Sequence, residues 1–198
     1  VGHWNELNSL SKRVVALPPK TLMLEVTNAC NLKCIMCTNP NMKRTKGTMP
    51  LSLAKKAIKE AAEMGVQEVA LFTTGESLLY KDLTILIEEA NGHGLYCYLT
   101  SNGLLLNRKK CIDLCRAGLD SIKISVDGSN QVEYERIRLG GDFSKLIKNF
   151  LLWLSRALRQ SYLKTRRNIF IQHFIRINPR DMVNALFKLF DISNSVFS

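Results

Sequence analysis

The chain has 198 residues, 46% of them hydrophobic, with a mean hydropathy of −0.04. That is one domain's worth of sequence, able to bury roughly 70% of its unfolded surface, and it contains no run approaching the ~18 apolar residues of a membrane span. Lys and Arg number 28 against 17 Asp and Glu, a formal charge of +11; this favours anionic partners, although the charges are scattered rather than gathered in the aromatic-interleaved stripe of a nucleic-acid face.

No basic n-region followed by an apolar h-region opens the chain, and the expected location is cytoplasmic. Trp4, Leu7, Leu10 and Val14 fall at roughly helical spacing before Pro18-Pro19. This predicts a leader helix and an extended entry over residues 1–20, with the domain proper over 21–198. The apolar run within 21–27 predicts a first buried strand. It leads straight into Asn28-Ala29-Cys30-Asn31-Leu32-Lys33-Cys34-Ile35-Met36-Cys37, which sets three thiols within eight residues. Three thiolates on one loop suit three irons of a [4Fe-4S] cube and leave the fourth iron open for chemistry. Zinc prefers four ligands, and no second Cys or His pair follows soon after. A disulfide would strand the third thiol, and with three of six cysteines in this loop a secreted disulfide framework is not expected.

Cys-x3-Cys-x2-Cys after a first strand resembles the signature of the radical S-adenosylmethionine (radical SAM) superfamily. The resemblance implies an open iron that binds the amino and carboxylate groups of SAM, and reductive splitting of the sulfonium to methionine and a 5′-deoxyadenosyl radical. Met36 stands where the family most often has an aromatic residue beside the adenine; methionine is polarizable and packs well on a ring.

Beyond the loop the chain alternates. A helix is predicted over 52–64, capped by Ser52 and stopped by Gly65, then a strand over 67–73 and a helix over 82–91 closed by Gly92. A strand over 95–100 precedes a helix over 108–117 closed by Gly118. A strand over 121–126 and a long helix over 143–161 follow, the latter with Phe143, Leu146, Ile147, Phe150, Leu154 and Leu158 on one face. A fifth strand is predicted over 168–177 and a last helix over 182–191. Apolar strands separated by helices imply an α/β fold with a parallel sheet. Five units are too few for a closed eight-unit barrel of ~250 residues, and the resemblance implies a partial (β/α)6 TIM-like barrel. Its sixth strand is not evident before Ser198, so either the chain is cut short or its last strand and any following domain lie elsewhere.

In such folds chemistry collects at the C-terminal ends of the strands, and the remaining motifs fall there. Thr73-Thr74-Gly75-Glu76-Ser77 resembles the family's Gly-Gly-Glu-Pro, which holds the methionine amino group, with Thr74 and Ser77 in place of the first Gly and the Pro. Thr100-Ser101-Asn102-Gly103 is similar to its Thr-Asn-Gly turn. Ser125-Val126-Asp127 resembles the Ser-x-Asp beside the ribose and carboxylate, the two polar residues facing one side by the period of two. In Tyr134-Glu135-Arg136-Ile137-Arg138 the last residue resembles an Arg that steadies SAM's carboxylate, a task suited to a guanidinium. The implied set is therefore Cys30, Cys34 and Cys37 on the cluster, and Met36, Thr74, Gly75, Glu76, Ser77, Ser101, Asn102, Ser125, Asp127 and Arg138 on SAM.

The subgroup that the chain resembles often carries a SPASM or twitch domain. Its members modify peptides, proteins or carbohydrates and take their electron from a donor such as flavodoxin or ferredoxin. A non-catalytic Fe-S or zinc-binding module on a degenerate barrel is the alternative, as is a radical SAM enzyme acting on a nucleic acid or nucleotide. Cys97, Cys111 and Cys115 are expected to be structural, although Cys111 and Cys115 share a helix face, as is His93 in a turn at the edge away from the site. His173 is expected in the core on the fifth strand. The run Lys43-Arg44-Thr45-Lys46 is expected to be a solvated face.

Overall fold

The computed structural model describes residues 18–163. The expected leader helix, fifth strand, His173 and last helix lie outside them. Four parallel strands, β1 (Thr21–Met23), β2 (Glu68–Ala70), β3 (Tyr96–Ser101) and β4 (Ser121–Ile124), form one sheet in the order β1-β2-β3-β4. Parallel neighbours need a crossover. Three are supplied by α1 (Leu51–Glu63), α2 (Leu83–Gly92) and α3 (Arg108–Ala117). The register runs from Leu22 opposite Val69, through Val69 opposite Cys97, to Leu99 opposite Ile122. The ladder continues past the strand ends, with Leu24 N–H donating to Ala70 O (2.8 Å), Leu71 N–H to Tyr98 O (2.9 Å) and Ser125 N–H to Ser101 O (2.9 Å). The strands are therefore functionally longer than their regular cores, as the apolar runs predicted.

The period of two decides which face is covered. Val69, Leu71, Cys97, Leu99, Ile122 and Ile124 are buried with Ala54, Ile58, Leu86, Ile87, Ala90, Cys111 and Leu114 from the helices. Burying each large aliphatic side chain here contributes roughly 1.5–3 kcal/mol. Cys97, Cys111 and Cys115 belong to this core, as expected of structural thiols. On the other face Tyr96, Tyr98 and Phe72 form a ring ladder, at 6.1 Å between the tyrosines and 5.8 Å from Phe72 to Tyr98, with Lys123 Nζ 5.3 Å from the Tyr98 ring.

Several details depart from the sequence expectations. Ser52 does not cap α1: Pro50 precedes the helix, its carbonyl accepting from Ala54 N–H at 3.1 Å, and Ser52 lies within the first turn. Gly92 sits inside α2. The left-handed residue that ends this connection is Gly94, at φ +74°. Gly65 and Gly118 do occupy positive φ after their helices. A short helix that the sequence reading did not separate, α4 (Gln131–Ile137), is capped by Asn130, whose side chain accepts from Glu133 N–H at 3.0 Å. The long helix α5 (Phe143–Leu163) buries Leu146, Phe150, Leu151 and Trp153, whereas Leu154 is only half-buried. It packs against both α3 and α4, and two neighbours demand a wider apolar stripe than the single face predicted.

Candidate active site

The cysteine loop leaves β1 and is held from both sides. Val26 O accepts from Met49 N–H at 2.8 Å, Thr27 Oγ1 donates to Gly47 O at 2.9 Å, and Asn28 bonds Gly47 N–H (2.6 Å) and Thr45 O (2.9 Å). Asn39, from the 3-10 turn Asn39–Asn41, is 3% exposed and gives its amide to Asn28 O (2.7 Å) and Thr74 O (2.9 Å), so it clips the loop after β1 to the loop after β2. Lys46 Nζ in turn reaches both Asn39 O and Oδ1 at 2.7 Å. Arg44 pairs with the Glu25 carboxylate. Residues 43–46 are all exposed, as expected of a solvated face, and two of the three cations in the run are also engaged within the protein.

The loop after β2 approaches this one at backbone distance. Glu76 N–H donates to Ala29 O at 2.8 Å, and Gly75 leaves so little room that a Cβ there would lie 2.1 Å from Thr27 O. Glu76 is 3% exposed. Its Oε1 accepts from Ser101 Oγ (2.8 Å) and Leu78 N–H (3.1 Å), and its Oε2 from Asn102 N–H (2.8 Å). Burial raises this carboxyl above the ordinary range, opposed by those donors. Counting two lone pairs per oxygen, Oε2 keeps one acceptor position for a further donor. Asn102 also ties the cysteine loop through Asn31 Oδ1 at 2.9 Å, and Gly103, at φ +75°, turns the chain away.

These loops close around one cavity of about 430 Å³. The cysteine loop contributes Cys30, Leu32, Cys34, Met36 and Cys37; the loop after β2, Phe72 to Glu76; the end of β3, Thr100, Ser101 and Asn102; the end of β4, Ser125 and Asp127; and Arg138 closes the side. Of the residues singled out from sequence, the structure brings all but Ser77 to this cavity. Ser77 is buried and its hydroxyl donates to Leu71 O at 2.5 Å, so it fixes the turn Ser77–Leu79. His93 lies at the helix-to-strand turn with Nε2 3.4 Å from Glu89 Oε1.

The donor set suits a sulfur-rich cluster. Cys34 is buried and Cys30 and Cys37 half-buried. Burial raises the Cys30 and Cys34 thiols above their usual value, and a bound metal offsets such a penalty by taking the thiolate. The three thiols share one cavity, a donor set that a polynuclear iron–sulfur cluster could use. Tyr134, wholly buried and within electrostatic reach of Cys34, has a hydroxyl with no hydrogen-bond partner.

Glu25 is the residue the motif reading missed. It interrupts the apolar run of the first strand, and that was its signal in the sequence. Burial works to raise its carboxyl, yet Thr73 Oγ1 (2.5 Å), Thr74 Oγ1 (2.6 Å) and Arg44 hold it down at about 2. A carboxyl lowered from 4.5 to about 2 adds stability that is complete above its unfolded value and lost as pH falls through that window. Urea unfolding at stepped pH should therefore show the parent losing stability between pH 4.5 and about 2 more steeply than Glu25→Gln. Parallel curves would show that this carboxylate contributes nothing.

Comparison with known proteins shows the family and the fold. The radical SAM superfamily profile matches residues 24–172. The PqqA peptide cyclase of Bradyrhizobium diazoefficiens is 35% identical over 120 residues, which cover 60% of this chain and 31% of that protein, and the PqqA peptide cyclase of Gluconobacter oxydans is 36% identical over 121 residues, 61% and 34% of the two chains. The chain thus spans about a third of the length of the curated relatives it matches. Among solved structures, anSMEcpe with bound AdoMet aligns with a TM-score of 0.61 at 23% identity, covering 71% of this chain and 42% of that one. Streptococcus suis SuiB bound to the precursor peptide SuiA aligns at 0.64 and 17% identity, covering 78% and 35%. At these identities the structural likenesses are likenesses of fold.

Proposed function

This chain belongs to the radical SAM superfamily, and from that premise we propose that Cys30, Cys34 and Cys37 hold a [4Fe-4S] cluster at which SAM is reductively cleaved, the product radical taking hydrogen from a peptide. One observation carries the reading: three thiols of one loop and the ends of four parallel strands line a single cavity. Cys30, Cys34 and Cys37 would hold the cluster, which would supply, with an electron from a donor such as flavodoxin or ferredoxin, the one-electron chemistry for reductive cleavage of SAM.

The protein's own part is orientation and exclusion of water. The carbonyls of the loop carrying Thr74 and Gly75, together with the last acceptor position on Glu76 Oε2, face an ammonium. Arg138 and the Ser125 hydroxyl meet a carboxylate, Asp127 accepts from a ribose hydroxyl, and Met36, 55% exposed at the cavity, packs on the adenine. Ser101 and Asn102 serve by holding Glu76. A peptide is favoured over a carbohydrate or a folded protein because the curated relatives are named for cyclising a peptide and a neighbour of the same fold was solved with one.

The test is anaerobic reconstitution of the protein, iron and sulfide counting, reduction with dithionite in the presence of SAM, and detection of 5′-deoxyadenosine by mass spectrometry. Formation of that product is expected. A four-iron preparation that binds SAM and yields none would overturn the enzyme reading.

A further inference from the structure

The segment after α4 runs back along the cysteine loop. Ile35 N–H donates to Ile137 O at 3.0 Å and Lys33 N–H to Leu139 O at 2.9 Å. Cys34 and Arg138 are therefore set opposite one another between two backbone bonds. The Arg138 side chain is only 13% exposed. Its Nε donates to Asp127 Oδ2 at 2.7 Å, one terminal nitrogen pairs with the same oxygen, and the other, Nη1, lies 3.7 Å from Cys34 Sγ. Of the guanidinium's five N–H groups, three are engaged here and two remain. A lysine could not do this, since its ammonium lacks the planar fork that reaches two partners in fixed directions.

The Nη1 contact with Cys34 is distinct from the SAM-carboxylate role proposed for Arg138. It places a permanently charged donor on one cluster-ligating sulfur, inside a largely buried setting where charges act strongly. Reducing an iron–sulfur cluster adds a negative charge, and hydrogen bonds to its sulfurs and nearby cations stabilise the more negative state.

Resting on the cluster reading above, we propose that Arg138, held in place by Asp127, is a positioning residue that donates to the Cys34 sulfur and raises the cluster's reduction potential, separately from any contact with SAM. The two free N–H groups then allow one side chain to touch both the cluster ligand and an incoming carboxylate, so that binding of SAM and the ease of reduction are linked through it.

The experiment is a midpoint-potential titration of the whole reconstituted protein, followed by electron paramagnetic resonance and carried out without SAM. Iron is counted first. Fewer than four irons in the parent protein would refute the cluster reading itself, and the proposal with it. With the cluster present, Arg138→Gln is expected to shift the oxidised-to-reduced ratio about tenfold toward oxidised at a given potential, which is 59 mV lower for one electron. Lys123→Gln removes an equal charge from β4, where the ammonium sits over Tyr98, and is expected to leave the potential at the parent value. An Arg138→Gln potential equal to the parent's, or a Lys123→Gln shift as large as that of Arg138→Gln, overturns the proposal. Should Arg138→Gln fail to retain iron, Arg138→Lys decides: it keeps the charge without the fork, so a smaller downward shift supports the role and an unchanged potential refutes it.

Discussion

Replacing any one of Cys30, Cys34 and Cys37 by alanine is expected to abolish the visible absorbance of the reconstituted protein and its formation of 5′-deoxyadenosine, whereas Cys111→Ala and Cys115→Ala keep both. On the proposed function each loop thiol would be one of three ligands to a cluster already short of its fourth, so the loss should exceed the ~10–100-fold effect typical of residues that merely support a metal ligand. Cys111 and Cys115 stand in a different environment. They are packed in the core beneath α5, and burial pushes both thiols up to about 11. Neither lines the cavity that the three loop thiols share. Shortening either leaves a small void and lowers stability, which thermal unfolding would register without loss of iron. Iron counting and absorbance on all five variants separate the two groups. Loss of iron from Cys111→Ala with unchanged unfolding would place that thiol on a metal and undo the division.

The division was legible from sequence because the two kinds of thiol carry different local patterns. Three cysteines crowded in a loop after an apolar strand have no packing explanation, whereas two cysteines one helical turn apart among leucines have a sufficient one. The strand–helix alternation was legible for the same reason: each strand is a short apolar run bounded by polar turns. What sequence could not show is the stitching between loops. Asn39 reads as a residue of a Pro-containing turn, and only the fold brings its amide to Thr74 O, 35 positions away. Glu25 reads as an interruption of a strand until Thr73 and Thr74 arrive to bond it. The short helix α4 was announced by Ser129, Asn130 and Glu133, whose reciprocal bonds form an N-terminal box. Reading residues 134–138 only as a motif concealed it. Ser77 was placed by its motif position, and the fold gives its hydroxyl a tie to Leu71 O that no local pattern announced.

Gly75→Ala is expected to separate the two loops on which the site is built. The new methyl would lie 2.1 Å from Thr27 O, 2.8 Å from Thr27 C and 2.9 Å from Ala29 O. All three are backbone atoms, so no side-chain rotation relieves the clash, and the chain around Gly75 must move away from residues 27–29. That movement breaks the bond from Glu76 N–H to Ala29 O, withdraws Glu76 from Ser101 and Asn102, and frees the loop that carries Cys30. Overpacking of this kind costs typically about 1–3 kcal/mol, which for a domain of this size corresponds to a fall in Tm of roughly 4–8 °C at about 2 kcal/mol. SAM affinity and iron retention should fall with it, because the carboxylate and the cluster loop are displaced together. Gly47→Ala is the matched control: no atom lies within 4 Å of its added Cβ, and its backbone bonds to Asn28 and Thr27 survive the change. Calorimetry and SAM titration on the two variants should therefore diverge. If Gly75→Ala melts with the parent and binds SAM as tightly, the close approach of the two loops is not what holds the site together.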